Sequence, residues 1–297
     1  MSDWPVGLST GCFYQTSIVD CLEMIRNGGY SMIEVCSFGS HLDYHDVDKV
    51  KLTAKRLREL GMEAYSFHAP FSPDIDITSL NRDRREYAVR EIMKAAEASA
   101  ILGVWHFNIH PGPEESYRPP AQEYVERLRH AADALNRLSR HCNKLGVGIV
   151  LENMLPHLLF GNTSDMLWLM GALETVKVGA CLDTGHAYLS GDLHNVMHKL
   201  SGHLQFVHLN DNRGRYDDHL PPGRGKIDWR RLLSELSRTG FRGSFILELA
   251  GNRPYEQILE DARQARAYIR EISRKITLSI PPTAAPAPTP DAEPREE

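Results

Sequence analysis

The sequence predicts a single α/β domain folded as a closed (β/α)8 (TIM) barrel. Eight short apolar, β-rich runs recur along its 297 residues, longer stretches of helical spacing lie between them, and glycine follows several of those stretches where a helix should stop. The runs are Val6–Thr10, Met32–Phe38, Glu63–His68, Val104–His110, Val147–Glu152, Val178–Asp183, Leu204–Asn210 and Ser244–Leu249.

Each intervening element has its own signal. Asp46–Leu60 reads as an amphipathic helix closed by Gly61, Arg82–Leu102 as one ending at Gly103, and Gln122–Leu145 as one ending at Gly146. Asp228–Thr239 opens on a good N-cap and ends at Gly240. Runs that are apolar on both faces and separated by helices imply a parallel sheet covered by helices. Eight such units suit a barrel of about 250 residues. An open doubly wound sheet is the competitor, but no G-x-G-x-x-G follows the first run. The barrel is expected over residues 1–275. Residues 276–297, rich in Pro and Ala, are expected to form a disordered tail.

Composition narrows the function classes. Hydrophobic residues make up 42% and charged residues 25%, as in ordinary globular proteins. Of the net charge of −5, −3 falls in the tail, which leaves the barrel without a bulk preference for nucleic acid. Cys12, Cys21, Cys36, Cys142 and Cys181 are scattered, odd in number and without a C-x-x-C pair, so reduced, buried thiols in a cytoplasmic protein are expected. No signal-peptide pattern and no run of about 18 apolar residues is visible, so no membrane association is expected.

The chemistry collects at the ends of the runs. Six consecutive runs, the third to the eighth, finish on or beside His68, His110, Glu152, Asp183 with His186, His208 and Glu248. In a barrel these ends converge on one face, where active sites form. A single strand-end histidine is most often structural, but so many buried ionisable groups need a compensating ion. A mixed imidazole and carboxylate set suits Zn, Mn or Co; carboxylates alone suit Mg. Asp217 and His219, two apart in the loop after the seventh run, point to one side of an extended segment, with Asp218 as the alternative to Asp217. Glu34 on the second run is a substrate contact or a salt-bridge partner. His130, His141, His194 and His198 fall in helical stretches and are assigned to helix surfaces.

The ordered set H-A-P at 68–70, H-P-G at 110–112, L-E-N at 151–153, L-D-T-G-H at 182–186, H-L-N-D at 208–211, D-x-H-L-P-P-G-x-G at 217–225 and L-E-L at 247–249 resembles the xylose isomerase-like TIM-barrel superfamily. The resemblance runs from about Val6 to Ile272. That superfamily includes sugar and sugar-phosphate isomerases and epimerases, and the endonuclease IV (family 2 apurinic endonuclease) group. Resemblance to tagatose and psicose epimerases implies one divalent ion (Mn, Co, Mg or Zn) held at Glu152, Asp183, His208 and Glu248. It also implies a proton passed through an enediolate between the catalytic pair Glu152 and Glu248. His186 then helps hold substrate oxygens, with His68, Glu34 and Arg224 as further substrate-contact candidates.

Resemblance to endonuclease IV implies instead up to three zinc ions at His68, His110, Glu152, Asp183, His186, His208, Asp217, His219 and Glu248, hydrolysing a phosphodiester. All nine residue types are present. The segments 37–43 and 71–77 carry no Arg or Lys, however, which disfavours a nucleic-acid partner. Arg224 stands where isomerase-like relatives often have Glu, and an arginine there could reach a substrate phosphate. The expected activity is therefore a metal-dependent isomerase or epimerase acting on a small sugar or sugar phosphate, with a zinc phosphodiesterase as the alternative. A barrel that binds without catalysis is the third reading, and the intact Glu152/Glu248 pair argues against it. Many relatives are dimers or tetramers, so the resemblance also implies a homo-oligomer.

Overall fold

Strands with two apolar faces have no solvent side, and a sheet of them is satisfied by closing on itself under a sleeve of helices. The computed structural model, which describes residues 4–116, 118–174 and 178–279, shows this closure. Eight parallel strands pair in sequence order and the last returns to the first. They are β1 (Val6–Ser9), β2 (Met32–Cys36), β3 (Glu63–His68), β4 (His106–Ile109), β5 (Gly148–Glu152), β6 (Gly179–Asp183), β7 (Leu204–Leu209) and β8 (Ser244–Leu247). The helices are α1 (Ile18–Asn27), α2 (Val47–Glu59), α3 (Arg82–Leu102), α4 (Ala121–Leu145), α5 (Thr163–Ala172), α6 (Thr184–Leu189), α7 (Leu193–Leu200), α8 (Trp229–Arg238) and α9 (Tyr255–Ser279).

Several boundaries differ from the sequence reading. Residues 10–13 turn into a 3-10 helix rather than extending β1, and β4 begins at His106 rather than Val104. Glu248 lies one residue beyond β8, although its backbone N–H still donates to Leu209 O. α9 continues through Ser279, past the expected domain boundary at residue 275. The rest of the expected tail, 280–297, lies outside the described residues. Helix punctuation follows the expected chemistry. Asn81 accepts from Asp83 N and Arg84 N to open α3, and Gly103 and Gly146 take φ of 76° and 77°, closing α3 and α4 in a conformation that costs other residues strain.

Strand periodicity sorts the side chains into layers. On β5–β8, Leu151, Leu182, Val207 and Leu247 point outward into the core beneath the helices. Their neighbours Val150, Cys181, Phe206 and Ile246 point inward and form a separate buried cluster that plugs the barrel axis. Two residues further along each chain, on the same inward face, come Glu152, Asp183, His208 and Glu248. The plug is thus the floor of the site.

Candidate metal centre

Four adjacent strands therefore present four ligand-type side chains at one height. Glu152, Asp183, His208 and Glu248 each offer an atom, and these atoms lie within 4.8 Å of one another. His208 Nδ1 is 3.1 Å from Glu152 Oε1 and 3.0 Å from Glu248 Oε2. Asp183 caps α6, accepting from His186 N at 2.7 Å, and its other oxygen accepts from Asn210 Nδ2 at 2.6 Å. The D-T-G-H turn thereby places His186 beside Asp183. A Cβ at Gly185 would collide with Asn210, which accounts for the glycine.

Two further groups flank the first. His68, His110 and Glu152 form one, and His186, Asp217 and His219 the other, each with ligand atoms within 4.8 Å of one another. His68 Nε2 and His110 Nε2 lie 3.4 Å and 3.5 Å from Glu152 Oε2. Asp217 Oδ2 lies 3.5 Å from His186 Nε2 and 3.0 Å from His219 Nε2. His219 takes a φ of 45°, a left-handed conformation unusual for a side-chain-bearing residue and common at functional sites. Asp211 organises the loop that holds it. Its carboxylate accepts from Gly223 N, Ile227 N and Trp229 Nε1, and its backbone pairs with Leu220.

The five histidines share one arrangement. Each has one ring nitrogen on a protein acceptor and the other facing a cluster carboxylate. The acceptors are Ala69 O for His68 Nδ1, Glu114 for His110 Nδ1 at 2.5 Å and Asn153 O for His186 Nδ1. They are Glu34 for His208 Nε2 at 3.1 Å and Glu248 O for His219 Nδ1. Such an acceptor fixes the tautomer and aims the free lone pair, as around metal-ligating histidines. Two cluster atoms, His110 Nε2 and Asp217 Oδ1, are buried without a hydrogen-bond partner. Orphaned polar atoms of this kind are costly unless a ligand satisfies them. The donor set is all imidazole nitrogen and carboxylate oxygen, so the residues fit one or more divalent ions of the Zn, Mn or Co type. Cys181 lies within reach of Glu152 and His208, but burial pushes its thiol well up, so it remains protonated and a poor competitor.

The electrostatics point the same way. Burial opposes the charged form of every group here. For Glu152, burial is outweighed by His208, His110 and His68, which hold its carboxyl well below the usual range. Glu248 is held at about 2, burial again being outweighed, by His208 and then His219. Burial works to lower His110 and His186, but Glu114 and Glu152 lift the first to about 10, and Asp183 and Asp217 lift the second to about 9. Asp183 departs from the other carboxylates. Burial, reinforced by Glu152, Glu248 and Asp217, raises it, as expected of a carboxylate short of cations.

All nine residues expected as ligands therefore meet on one face. Glu34, expected as a substrate contact or a salt-bridge partner, takes the second role against His208, and Arg224 does not line that face. Glu34 is fully buried behind His208, where it also accepts from Ser66 Oγ at 2.8 Å. Arg224 turns outward to α9, with Nη1 2.7 Å from Asp261 Oδ1 and Nη2 2.6 Å from Gln264 Oε1. The sequence reading overlooked Glu114, Asn108, Asn153 and Asn210. Asn153 and Asn210 stood directly beside named residues in L-E-N and H-L-N-D, which was a usable signal. Glu114, in an irregular loop, gave none. Beside the groups opens a cavity of about 450 Å³, lined by Cys36, Phe38, Phe71, Asp217, Asp218, His219, Glu248 and the 249–252 loop.

A family model described as the xylose isomerase-like TIM barrel matches residues 22–272. The chain belongs to that family. Inosose dehydratase from Geobacillus thermodenitrificans is 30% identical over 249 residues, covering 75% of this chain and 80% of that one. A crystal structure of a D-tagatose 3-epimerase-like protein superposes with a TM-score of 0.80 at 24% identity, covering 92% of this chain and 98% of the other. A probable endonuclease 4 from Aquifex aeolicus is 25% identical over 178 residues, covering 54% of this chain and 61% of that one. Family membership carries the barrel and places the chain among enzymes of this superfamily. No helix among the described residues is long and apolar enough to cross a membrane.

Proposed function

We propose that this family member is a divalent-metal-dependent isomerase or epimerase of sugars, with Glu152 and Glu248 as the proton-transferring pair. The observation that supports it most is the quartet Glu152, Asp183, His208 and Glu248, set at one height on β5–β8 above an apolar plug. A divalent ion held by these four residues would supply Lewis-acid polarisation of a carbonyl and so acidify a neighbouring C–H. Glu152 and Glu248 are both held ionised, the form in which a carboxylate can accept a proton from carbon. They come from the two ends of the β5–β8 arc and meet His208 Nδ1 from separate strands, so one can take the proton and the other return it. His186 stands over Asp183 with its Nε2 toward the cavity loop, suited to hold a substrate oxygen. The relatives named for tagatose epimerisation and inosose dehydration support a sugar-like ligand.

A zinc phosphodiester hydrolase is the second reading. The gathering of all nine residues into three contiguous groups favours it. The cavity disfavours it, since none of its described lining residues is Lys or Arg. The deciding experiment incubates the protein with free ketohexoses and ketopentoses in deuterated buffer, alongside metal analysis per chain. Deuterium entering at carbon, with about one ion per chain and activity largely kept in His219→Ala, is expected. Nearly three zinc ions per chain, hydrolysis of bis(p-nitrophenyl) phosphate and no deuterium uptake would replace the proposal with the hydrolase.

A further inference from the structure

Away from the barrel mouth, a second cluster of ligand-type side chains lies on the helical sleeve. His194 and His198 are four residues apart on α7 and so share one face of that helix. Leu193, Val196, Met197 and Leu200 bury the inner side of α7, and the two histidines meet Glu235 of the neighbouring α8. His194 Nδ1 lies 2.7 Å and His198 Nε2 3.4 Å from the same oxygen, Oε2. The Glu235 side chain is only 8% exposed, while that of His198 is 54% exposed. A buried carboxylate oxygen is thus shared by two imidazoles at the surface.

Two imidazoles and one carboxylate are a donor set for zinc with three protein ligands, water taking the fourth position. Histidines at this spacing on a helix hold zinc from one face. Bonds of about 2.0–2.2 Å place neighbouring ligand atoms about 3.3 Å apart in a tetrahedral site, close to the His198–Glu235 separation. His194 stands nearer, at hydrogen-bond distance, and a bound ion would take the place of that bridging proton. Burial works to raise the Glu235 carboxyl, but Arg231 and His194 hold it below its ordinary value, in the anionic form that binds metal. Two features weaken the site. The other carboxylate oxygen, Oε1, pairs with Arg231 Nε at 3.0 Å and has Arg238 Nη2 at 4.0 Å, although both guanidiniums are mostly exposed and therefore screened. At the barrel mouth the ligand atoms of each group already lie within 4.8 Å of one another, whereas here the half-exposed His198 ring has to turn toward His194.

We propose that His194, His198 and Glu235 form a peripheral site for one divalent ion of the zinc type, separate from the centre at the barrel mouth and weaker than it. The ion would tie α7 to α8. These helices precede and follow β7, the strand that carries His208, and the loop between β7 and α8 carries Asp217 and His219. An ion that bridges two helices of the folded chain stabilises the fold, since the unfolded chain does not hold the three ligands together. Imidazole donors select zinc over magnesium or calcium.

The test uses the full chain and zinc itself. Equilibrium dialysis against excess zinc reads the ions bound per chain, and thermal melts read the midpoint as zinc is raised. The wild-type chain should bind one ion more than His194→Ala and one more than His198→Ala. Once the barrel-mouth centre is saturated, further zinc should raise the wild-type midpoint by a few degrees, and neither variant should show that second rise. Magnesium in place of zinc should not produce it. The more exposed position, His198, tolerates truncation without loss of the fold, which circular dichroism checks, so its result stands even if His194→Ala folds poorly. Equal zinc counts in the wild type and His198→Ala would overturn the proposal. So would the same second rise in that variant, or a rise with magnesium that matches zinc.

Discussion

The two halves of the barrel divide the labour. On β5–β8 the same inward position carries Glu152, Asp183, His208 and Glu248, one ligand-type group per strand. On β1–β4 the inward positions carry chiefly groups that act on those ligands, with His68 at the end of β3 and His110 just after β4 forming a flanking ligand-type group with Glu152. Ser9 and Ser66 hold Glu34, Glu34 holds His208, and Asn108 donates to Glu152. The contacting rings Tyr14, Phe38 and Phe71 also belong to this half, in the segments after β1, β2 and β3. In the proposed function, one half would supply the metal ligands and the proton carriers, while the other fixes their orientation. A barrel permits this because every strand end reaches the same mouth, so function can be distributed by strand rather than by sequence proximity.

The sharpest way to break the comparison is to change the two halves in turn. Glu152→Gln and Glu248→Gln each keep the shape of the side chain but remove a proton acceptor. Turnover, measured as deuterium exchange into a free ketose, should fall by about 10²–10⁴-fold in each. Wild-type turnover in either variant would remove that residue from the proton-transfer role.

Glu34→Gln changes the supporting half. Gln can still meet Ser66, but its amide no longer offers His208 Nε2–H a charged acceptor. Losing such a partner behind a ligand histidine typically costs about 10–100-fold in metal affinity. Chelator competition with Mn or Co should show a loss in that range, with Glu34→Asp less affected if a shortened carboxylate still reaches the ring. Unchanged affinity would mean that Glu34 serves packing and that the division between the halves is overdrawn.

The empty and metal-filled states also differ in protons. His110 and His186 titrate at about 10 and about 9 without metal, so both are protonated at pH 7. Any ion that takes their free nitrogens must displace those protons. Apparent affinity at these flanking groups should therefore rise with pH until about pH 9–10, by about tenfold per unit for each proton displaced. Titration of metal in buffers of different ionisation enthalpy reads the protons released. If only the quartet is filled, the release assigned to His110 and His186 will be absent, which separates one ion from three.

Much of this was legible in the sequence, for a physical reason. The plug and the ligands recur as Val150-Leu151-Glu152, Cys181-Leu182-Asp183, Phe206-Val207-His208 and Ile246-Leu247-Glu248. In each, an inward apolar residue, an outward one and an inward polar one follow at strand spacing. Alternation of period two is local, so one strand can be read without its neighbours. Which residue a side chain turns to is not local. Glu34 shows the same inward polar pattern after Met32 and Ile33, yet its partner His208 is 174 residues away. Glu114 holds His110 from an irregular loop, where no period exists to read. The direction of Arg224 depended on Asp261, a residue of the last helix that no motif marked.

Arg224 offers the smallest expected effect and for that reason a clean control on the comparison. Its guanidinium lies on the outside of the β7 loop, part-exposed, against Asp261 and Gln264. Removing it leaves Asp261 with Arg253 at 2.9 Å, so no buried charge is stranded. An ion pair of this exposure contributes about 0–1 kcal/mol. Arg224→Ala should therefore lower the thermal midpoint only slightly, and leave the turnover and KM of a free ketose unchanged. A large rise in KM confined to a sugar phosphate would show that the arginine swings inward to meet charge. The β5–β8 half would then meet the charged end of a substrate as well as its reacting carbon.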